Sequence, residues 1–134
     1  MKKRFFELAK KVSLNSTSEP RLGCVVVQKN RVISVGFNNM KKTHPKSTHP
    51  FHTLHAEVHA LLGSSFEETK GAVAYIYREL KDGTMALAKP CPSCQLALVY
   101  AGISKAYYTS SEGFLEMSLE QANRRIRPSL QKFK

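Results

Sequence analysis

Long apolar runs are missing from this 134-residue sequence, and none approaches the roughly 20 residues that a helix needs to cross a bilayer. A membrane-spanning role is therefore not expected. Cysteine is scarce as well: three in all is too few for a disulfide framework. In a reducing compartment Cys91 and Cys94 read as metal ligands or redox thiols, and Cys24, inside Cys24-Val25-Val26-Val27, reads as plain core. No signal-peptide core can form at the N-terminus, because Glu7, Lys10 and Lys11 interrupt the apolar residues that begin at Phe5. The expected location is the cytoplasm. Acidic residues are the third shortage, with 10 Asp and Glu against 21 Lys and Arg, and the formal net charge of +11 draws the protein toward phosphate-bearing molecules. Charge alone leaves open whether that phosphate belongs to a small molecule or to a nucleic acid.

The sequence also has no internal repeat and no low-complexity tract. Its length and 42% hydrophobic content suit a single domain over residues 1–134. Phe5, Phe6, Leu8, Ala9 and Val12 recur near helical spacing with lysines opposite, which predicts an amphipathic helix over residues 3–13. Leu22 to Gln28 and Arg31 to Phe37 are rich in β-branched residues and are separated by Lys29-Asn30, the spacing of a two-residue hairpin. From Asn38 to Leu54 the chain is polar and basic with no period, which predicts a long functional loop. A helix follows from His55 to about Leu62, stopped by Gly63. Ala72 to Leu80 predicts a third strand, with a turn at Lys81-Asp82-Gly83-Thr84. Cys91 to Tyr100 predicts another helix, closed by Ala101-Gly102. Ile103 to Thr109 and Phe114 to Met117 are the fourth and fifth strands. The four residues between them allow only a hairpin, so these two strands are expected to be antiparallel. The segment from about residue 120, with Arg124, Arg125, Arg127, Lys132 and Lys134, reads as a last helix and a basic tail.

Two motifs carry the chemistry: His55-Ala56-Glu57 and Pro90-Cys91-Pro92-Ser93-Cys94. On a helix, Cys91 and Cys94 share a face about 4.5 Å apart along the axis, close enough to grip one ion. With His55 they make three zinc ligands, and Glu57 is a carboxylate left over. A structural zinc site normally closes with four protein ligands, whereas a catalytic one keeps a position for water. Zinc lowers the pKa of such a water toward about 7, and Glu57, two residues after His55, is placed to move its protons.

In these motifs the chain resembles the zinc-dependent cytidine deaminase-like superfamily, whose signature is H-x-E with P-C-x-x-C. The likeness extends over residues 22–109 in the order of strands and helices. It implies a three-layer α-β-α fold around a mixed five-stranded sheet. It also implies Zn²⁺ on His55, Cys91 and Cys94, proton transfer by Glu57, and replacement of an exocyclic amine by water with loss of ammonia. Asn38 falls where many members contact the nucleoside, and Ala56 and Pro90, inside the two motifs, are expected as further substrate contacts. Many members assemble, so a homo-oligomer is expected.

Blander readings compete at several positions. The CxxC alone fits a redox dithiol or a structural zinc clip. His59 lies four residues after His55, but a metalloprotease helix needs Glu directly after the first His, so His59 reads as packing. His44, His49 and His52 are candidates for a second metal site. As to substrate, His55 weakens the free-cytidine branch, whose members generally use Cys there. The phrase His55-Ala56-Glu57-Val58-His59-Ala60-Leu61 looks like the deaminase domain of riboflavin biosynthesis, which however has a longer gap between its cysteines. A hairpin after the fourth strand argues against transfer-RNA deaminases, which place a helical crossover there. Lys41 to Lys46 looks like the insert of small deoxycytidylate deaminase-like proteins. The expectation is deamination of cytosine in a free nucleotide or nucleoside. The alternatives are a polynucleotide deaminase using the basic ends, and a zinc-stabilised binding module.

Overall fold

The computed structural model describes residues 1–16, 21–38 and 55–119. The proposed second metal site at His44, His49 and His52, the lysine-rich part of the long loop and the basic segment from residue 120 all lie outside them. The elements are α1 (Lys3–Ser13), β1 (Arg21–Gln28), β2 (Arg31–Phe37), α2 (Ala56–Leu61), α3 (Phe66–Thr69), β3 (Val73–Glu79), α4 (Pro92–Tyr100), β4 (Lys105–Ser110) and β5 (Gly113–Ser118). The five strands form one sheet in the order β2-β1-β3-β4-β5. Only β3 and β4 run parallel; β4 and β5 pair antiparallel from Ser110↔Gly113 to Lys105↔Ser118, as their short connection requires.

Alternation along the strands splits the core into two layers. Cys24 and Val26 of β1, Ala74 and Ile76 of β3, and Ala106 and Tyr108 of β4 face α2 and α4. Their neighbours Val25, Val27, Tyr75 and Tyr77 face α1, where Phe5, Phe6, Ala9 and Val12 pack on them. The expected three-layer α-β-α mixed sheet is what forms. Because both strand faces are covered, β1 and β3 read as near-continuous apolar runs. The lysines of α1, Lys3, Lys10 and Lys11, are exposed on the sheet face opposite α2 and α4. No helix among the described residues is long and apolar enough to cross a membrane.

Two local features fix where α2 sits. Lys29 and Asn30 both adopt positive φ, 51° and 64°, the pairing a type I′ hairpin demands, and this sets the β1–β2 register. The register slips once, between Val26 and Val27, where Ile33 is the extra residue on β2. At Gly36 the α2 backbone comes so close that a Cβ would meet Ala60 N and Ala56 O well inside 3.0 Å. His59 completes the attachment, its Nδ1 3.0 Å from the Phe37 backbone N–H and its ring edge-on to Phe37 at 4.7 Å. It is a packing and hydrogen-bonding residue, as expected. Gly36→Ala should force α2 away from the sheet and cost about 1–3 kcal/mol. A thermal melt of the metal-free protein reads this as a lower Tm, and an unchanged Tm would contradict the close approach.

The sequence reading missed α3. Ser65 caps it, accepting from Glu68 N–H while the Glu68 carboxylate takes the Ser65 N–H at 2.9 Å. Ser65-Phe66-Glu67-Glu68 is a capping-box pattern visible in the sequence, but a helix of four residues leaves no periodicity to detect.

Candidate metal centre and adjoining cavity

His55 and Cys91 are not the first helical residues but the N-caps of α2 and α4, both in extended conformation, with Pro92 opening α4 behind Cys91. Each helix is therefore one residue shorter at its start than the sequence predicts. Capping gives His55 and Cys91 extended backbones that turn their side chains off the helix ends, and Cys94 comes round on the first turn of α4. The two helices pack against each other. His55 Nδ1, Cys91 Sγ and Cys94 Sγ all lie within 4.8 Å of one another.

Whether these atoms suit zinc can be tested on one distance. Tetrahedral zinc with Zn–S about 2.3 Å and Zn–N about 2.05 Å separates its sulfur and nitrogen ligands by about 3.6 Å. Cys94 Sγ and His55 Nδ1 are 3.6 Å apart. The donor set, one imidazole and two thiols, is equally suited to that ion. Three protein ligands leave a tetrahedral ion one position short.

Glu57 lines the same cavity as His55 and Cys91. It is 3% exposed, and its Oε1 is buried with no hydrogen-bond partner among the described residues. Burial pushes its carboxyl above the usual range, partly offset by its own backbone N–H and by Cys94. Burial also raises the Cys94 thiol far above its ordinary value, helped by the charges of Glu57 and Cys91. Cys24, buried in the sheet, is raised for the same first reason and then by Glu57. Three potential anions crowded in low dielectric is an arrangement that a bound cation relieves.

The Glu57 shift has a measurable consequence in the metal-free protein. Below its ordinary value near 4.5 the carboxyl is neutral both folded and unfolded and contributes nothing. As pH rises through that value the unfolded chain ionises first, so the folded state loses stability until its own raised pKa is passed. Metal-free Glu57→Gln should therefore melt at a higher temperature than metal-free wild type at pH 7, with the gap closing as pH falls toward 4.5. A gap independent of pH would contradict the assignment.

A cavity of about 250 Å³ adjoins the cluster, lined by His55, Ala56, Glu57 and Cys91 together with Leu22, Asn38, Arg78, Leu87, Ala88 and Lys89. Asn38 follows the end of β2. Its Oδ1 accepts from Leu22 N–H at 2.9 Å and from the Ser16 hydroxyl, which orients the amide against β1. Of the expected site residues, His55, Ala56, Glu57, Cys91 and Asn38 thus meet at one cavity. Cys94 lies buried behind it, and Pro90 is buried outside its lining, with its carbonyl accepting from Gln95 Nε2 at 2.8 Å.

The lining contributed by Arg78, Leu87, Ala88 and Lys89 was not anticipated. Residues 80–88 fold back onto the ends of β3 and β4, with Ala86 N–H donating to Arg78 O at 3.0 Å and Ala88 N–H to Thr109 O at 2.9 Å. Buried Thr109 locks this return, donating to Ala86 O at 2.8 Å and accepting from Arg78 N–H at 3.1 Å. Arg78 had one signal in the sequence: it is the first charge after the apolar run Val73 to Tyr77.

Fold and ligand cluster together are those of a zinc-binding deaminase domain. A family model, the cytidine and deoxycytidylate deaminase zinc-binding region, matches residues 1–110, and the chain belongs to that family. An uncharacterized deaminase from the luxG 3′ region of Aliivibrio fischeri is 31% identical over 114 residues, covering 78% of this chain and 69% of the relative. The riboflavin biosynthesis protein RibD of Buchnera aphidicola subsp. Baizongia pistaciae is 37% identical over 109 residues, covering 77% of this chain. The chain spans only 24% of that relative. The likeness to riboflavin enzymes is therefore wider than the phrase His55 to Leu61. Among solved structures, deoxycytidylate (dCMP) deaminase from cyanophage S-TIM5 matches at 25% identity and TM-score 0.57, covering 82% of this chain and 86% of that one. Cytidine deaminase from Burkholderia pseudomallei shares the fold at 16% identity and TM-score 0.65, over 90% and 94% of the two chains.

Proposed function

We propose that the protein is a hydrolytic deaminase that converts cytosine to uracil in a free nucleotide or nucleoside. The observation that carries this reading is Glu57: a buried carboxylate with an unpartnered oxygen, set in one cavity with His55 and Cys91. Zinc held by His55, Cys91 and Cys94 would supply Lewis acidity that lowers the pKa of water toward about 7. Glu57 takes one proton from the attacking water and delivers it to the ring nitrogen beside the reacting carbon. The carbon–nitrogen bond to the amine then breaks, the remaining hydroxyl proton leaves with the amine as ammonia, and the carbon keeps the oxygen as a carbonyl. Asn38 and Ala56 orient the sugar and base from the cavity wall. Pro90 contributes indirectly, by setting the chain ahead of Cys91.

Cytosine is supported by the cyanophage dCMP deaminase, whose structure was also solved with dCMP and dUMP, at 25% identity. The cavity, about 250 Å³, is of a size to take one base at a time. The exposed lysines of α1 lie on the other face of the sheet from α2, where they offer no track into the cavity. A second reading, an aminopyrimidine of the riboflavin route, is supported by the 37% identity to RibD. Ammonia release from a panel of nucleosides, nucleotides, short single strands and the riboflavin aminopyrimidine tests both. The expected result is turnover of cytosine mononucleotides or nucleosides, and preference for an adenine, a guanine or a single strand would sink the proposal.

A further inference from the structure

We infer that Arg78 and Lys89 form an anion subsite at the mouth of the cavity that grips the 5′-phosphate of a free mononucleotide. This rests on the cavity being the substrate site, and it names the group that decides which substrates enter.

Arg78 Nη1 donates to Leu87 O at 3.1 Å, which pins the edge of the group nearest Cδ. The other edge, formed by Nε and Nη2, carries two parallel N–H groups, the fork that matches a phosphate or carboxylate bidentately. Nε is buried and has no hydrogen-bond partner among the described residues. A buried donor on a permanently charged group is costly to leave unpaired. Glu57 and Arg78, the two described residues with a buried side-chain atom that lacks a partner, both line this cavity.

Depth then assigns the two ends. Glu57 is almost fully buried, Arg78 is partly buried and Lys89 is exposed. A mononucleotide entering base first reaches Glu57 with its base and leaves its phosphate near Arg78 and Lys89. Among the described residues that line the cavity, Glu57 is the one acidic side chain, against the two cations Arg78 and Lys89. The wall is also rigid in the sense an anion site needs. Arg78 and Lys89 flank the 80–88 return, which Thr109 and backbone bonds tie to the strand ends. A preformed fork loses little freedom on binding.

The test measures binding, so it does not depend on turnover. Deoxyribose 5-phosphate carries the phosphate and no base, and deoxyribose carries neither. The zinc-loaded full chain should bind the first and not the second, by calorimetry. Arg78→Gln should weaken that binding by about ten-fold or more. Arg78→Lys, which keeps the charge and loses the fork, should fall between it and wild type, and Lys89→Ala should cost a smaller factor. Zinc content and thermal melting check each variant's fold; exposed Lys89 remains a usable site if Arg78 variants do not fold. Where cytosine nucleotides are turned over, the ratio of kcat/KM for dCMP to that for deoxycytidine should drop by the same factor in Arg78→Gln. Wild-type affinity in both Arg78→Gln and Lys89→Ala would overturn the subsite, as would no binding of deoxyribose 5-phosphate by wild type. Tighter binding of a short strand lacking a terminal phosphate would assign the cations to phosphodiesters and overturn it too. Failure of the cytosine reading would instead appear as phosphate binding that depends on Arg78 without turnover of any cytosine compound.

Discussion

Glu57→Ala is expected to lower kcat by about 10²- to 10⁴-fold, the usual contribution of a positioned acid-base group, while the protein keeps one zinc per chain. The separation of the two effects follows from the geometry. His55, Cys91 and Cys94 form the ligand cluster without Glu57, so its removal takes away no donor. Glu57 sits on the first turn of α2, almost fully buried, and among the described residues its Oε1 has no partner and no other acidic residue lines the cavity to replace it. Steady-state ammonia release alongside metal analysis reads both quantities. A zinc-stabilised binding module would keep its function in this variant, because nothing in such a module requires a proton to move. Loss of zinc in Glu57→Ala would mean that Glu57 is itself a ligand and that the open position has been misread.

Cys94→Ser is expected to abolish zinc retention and with it all turnover. Cys94 is fully buried on α4 and its sulfur lies 3.6 Å from His55 Nδ1, so a hydroxyl there is a poor donor in a place that cannot rearrange. Dialysis followed by metal analysis should show zinc falling from one per chain to near none. The same thiol predicts how affinity depends on pH. Burial, Glu57 and Cys91 hold Cys94 far above its ordinary value, so in the metal-free site it is protonated throughout the neutral range. Zinc must displace that proton, and affinity should fall by up to about ten-fold for each unit of acidification per proton displaced. Zinc affinity that does not change between pH 8 and pH 6 would contradict a thiolate ligand at Cys94.

Most of the fold was legible because the signals were local. The β1–β2 hairpin is written in two residues, Lys29-Asn30, and the antiparallel β4–β5 pair in the length of one turn. The ligand cluster was legible for a different reason. Zinc coordination constrains residue type and spacing so tightly that His55, Cys91, Cys94 and the surplus Glu57 stand out with no knowledge of packing. What stayed hidden depends on contacts between segments distant in sequence. Arg78 becomes a wall of the cavity only because Thr109 holds residues 80–88 back against the strand ends. Lys89 is an ordinary surface lysine until that return carries it to the cavity mouth. Gly36 gave no sign that it is where α2 meets the sheet, since close backbone approach leaves no pattern along a single strand. The helix starts were misplaced by one residue because His55 and Cys91, as caps, lie outside the helices whose ends they form.

The central claim is that this cavity replaces an amine on cytosine with an oxygen from water, using Glu57 to move the protons. Turnover of a cytosine mononucleotide in water enriched with ¹⁸O, followed by mass spectrometry of the product, tests it most directly. The account predicts uracil nucleotide carrying one solvent oxygen for each ammonia released, with both signals lost together in Glu57→Ala. Product lacking the solvent oxygen, or product formed at the wild-type rate by Glu57→Ala, would contradict it.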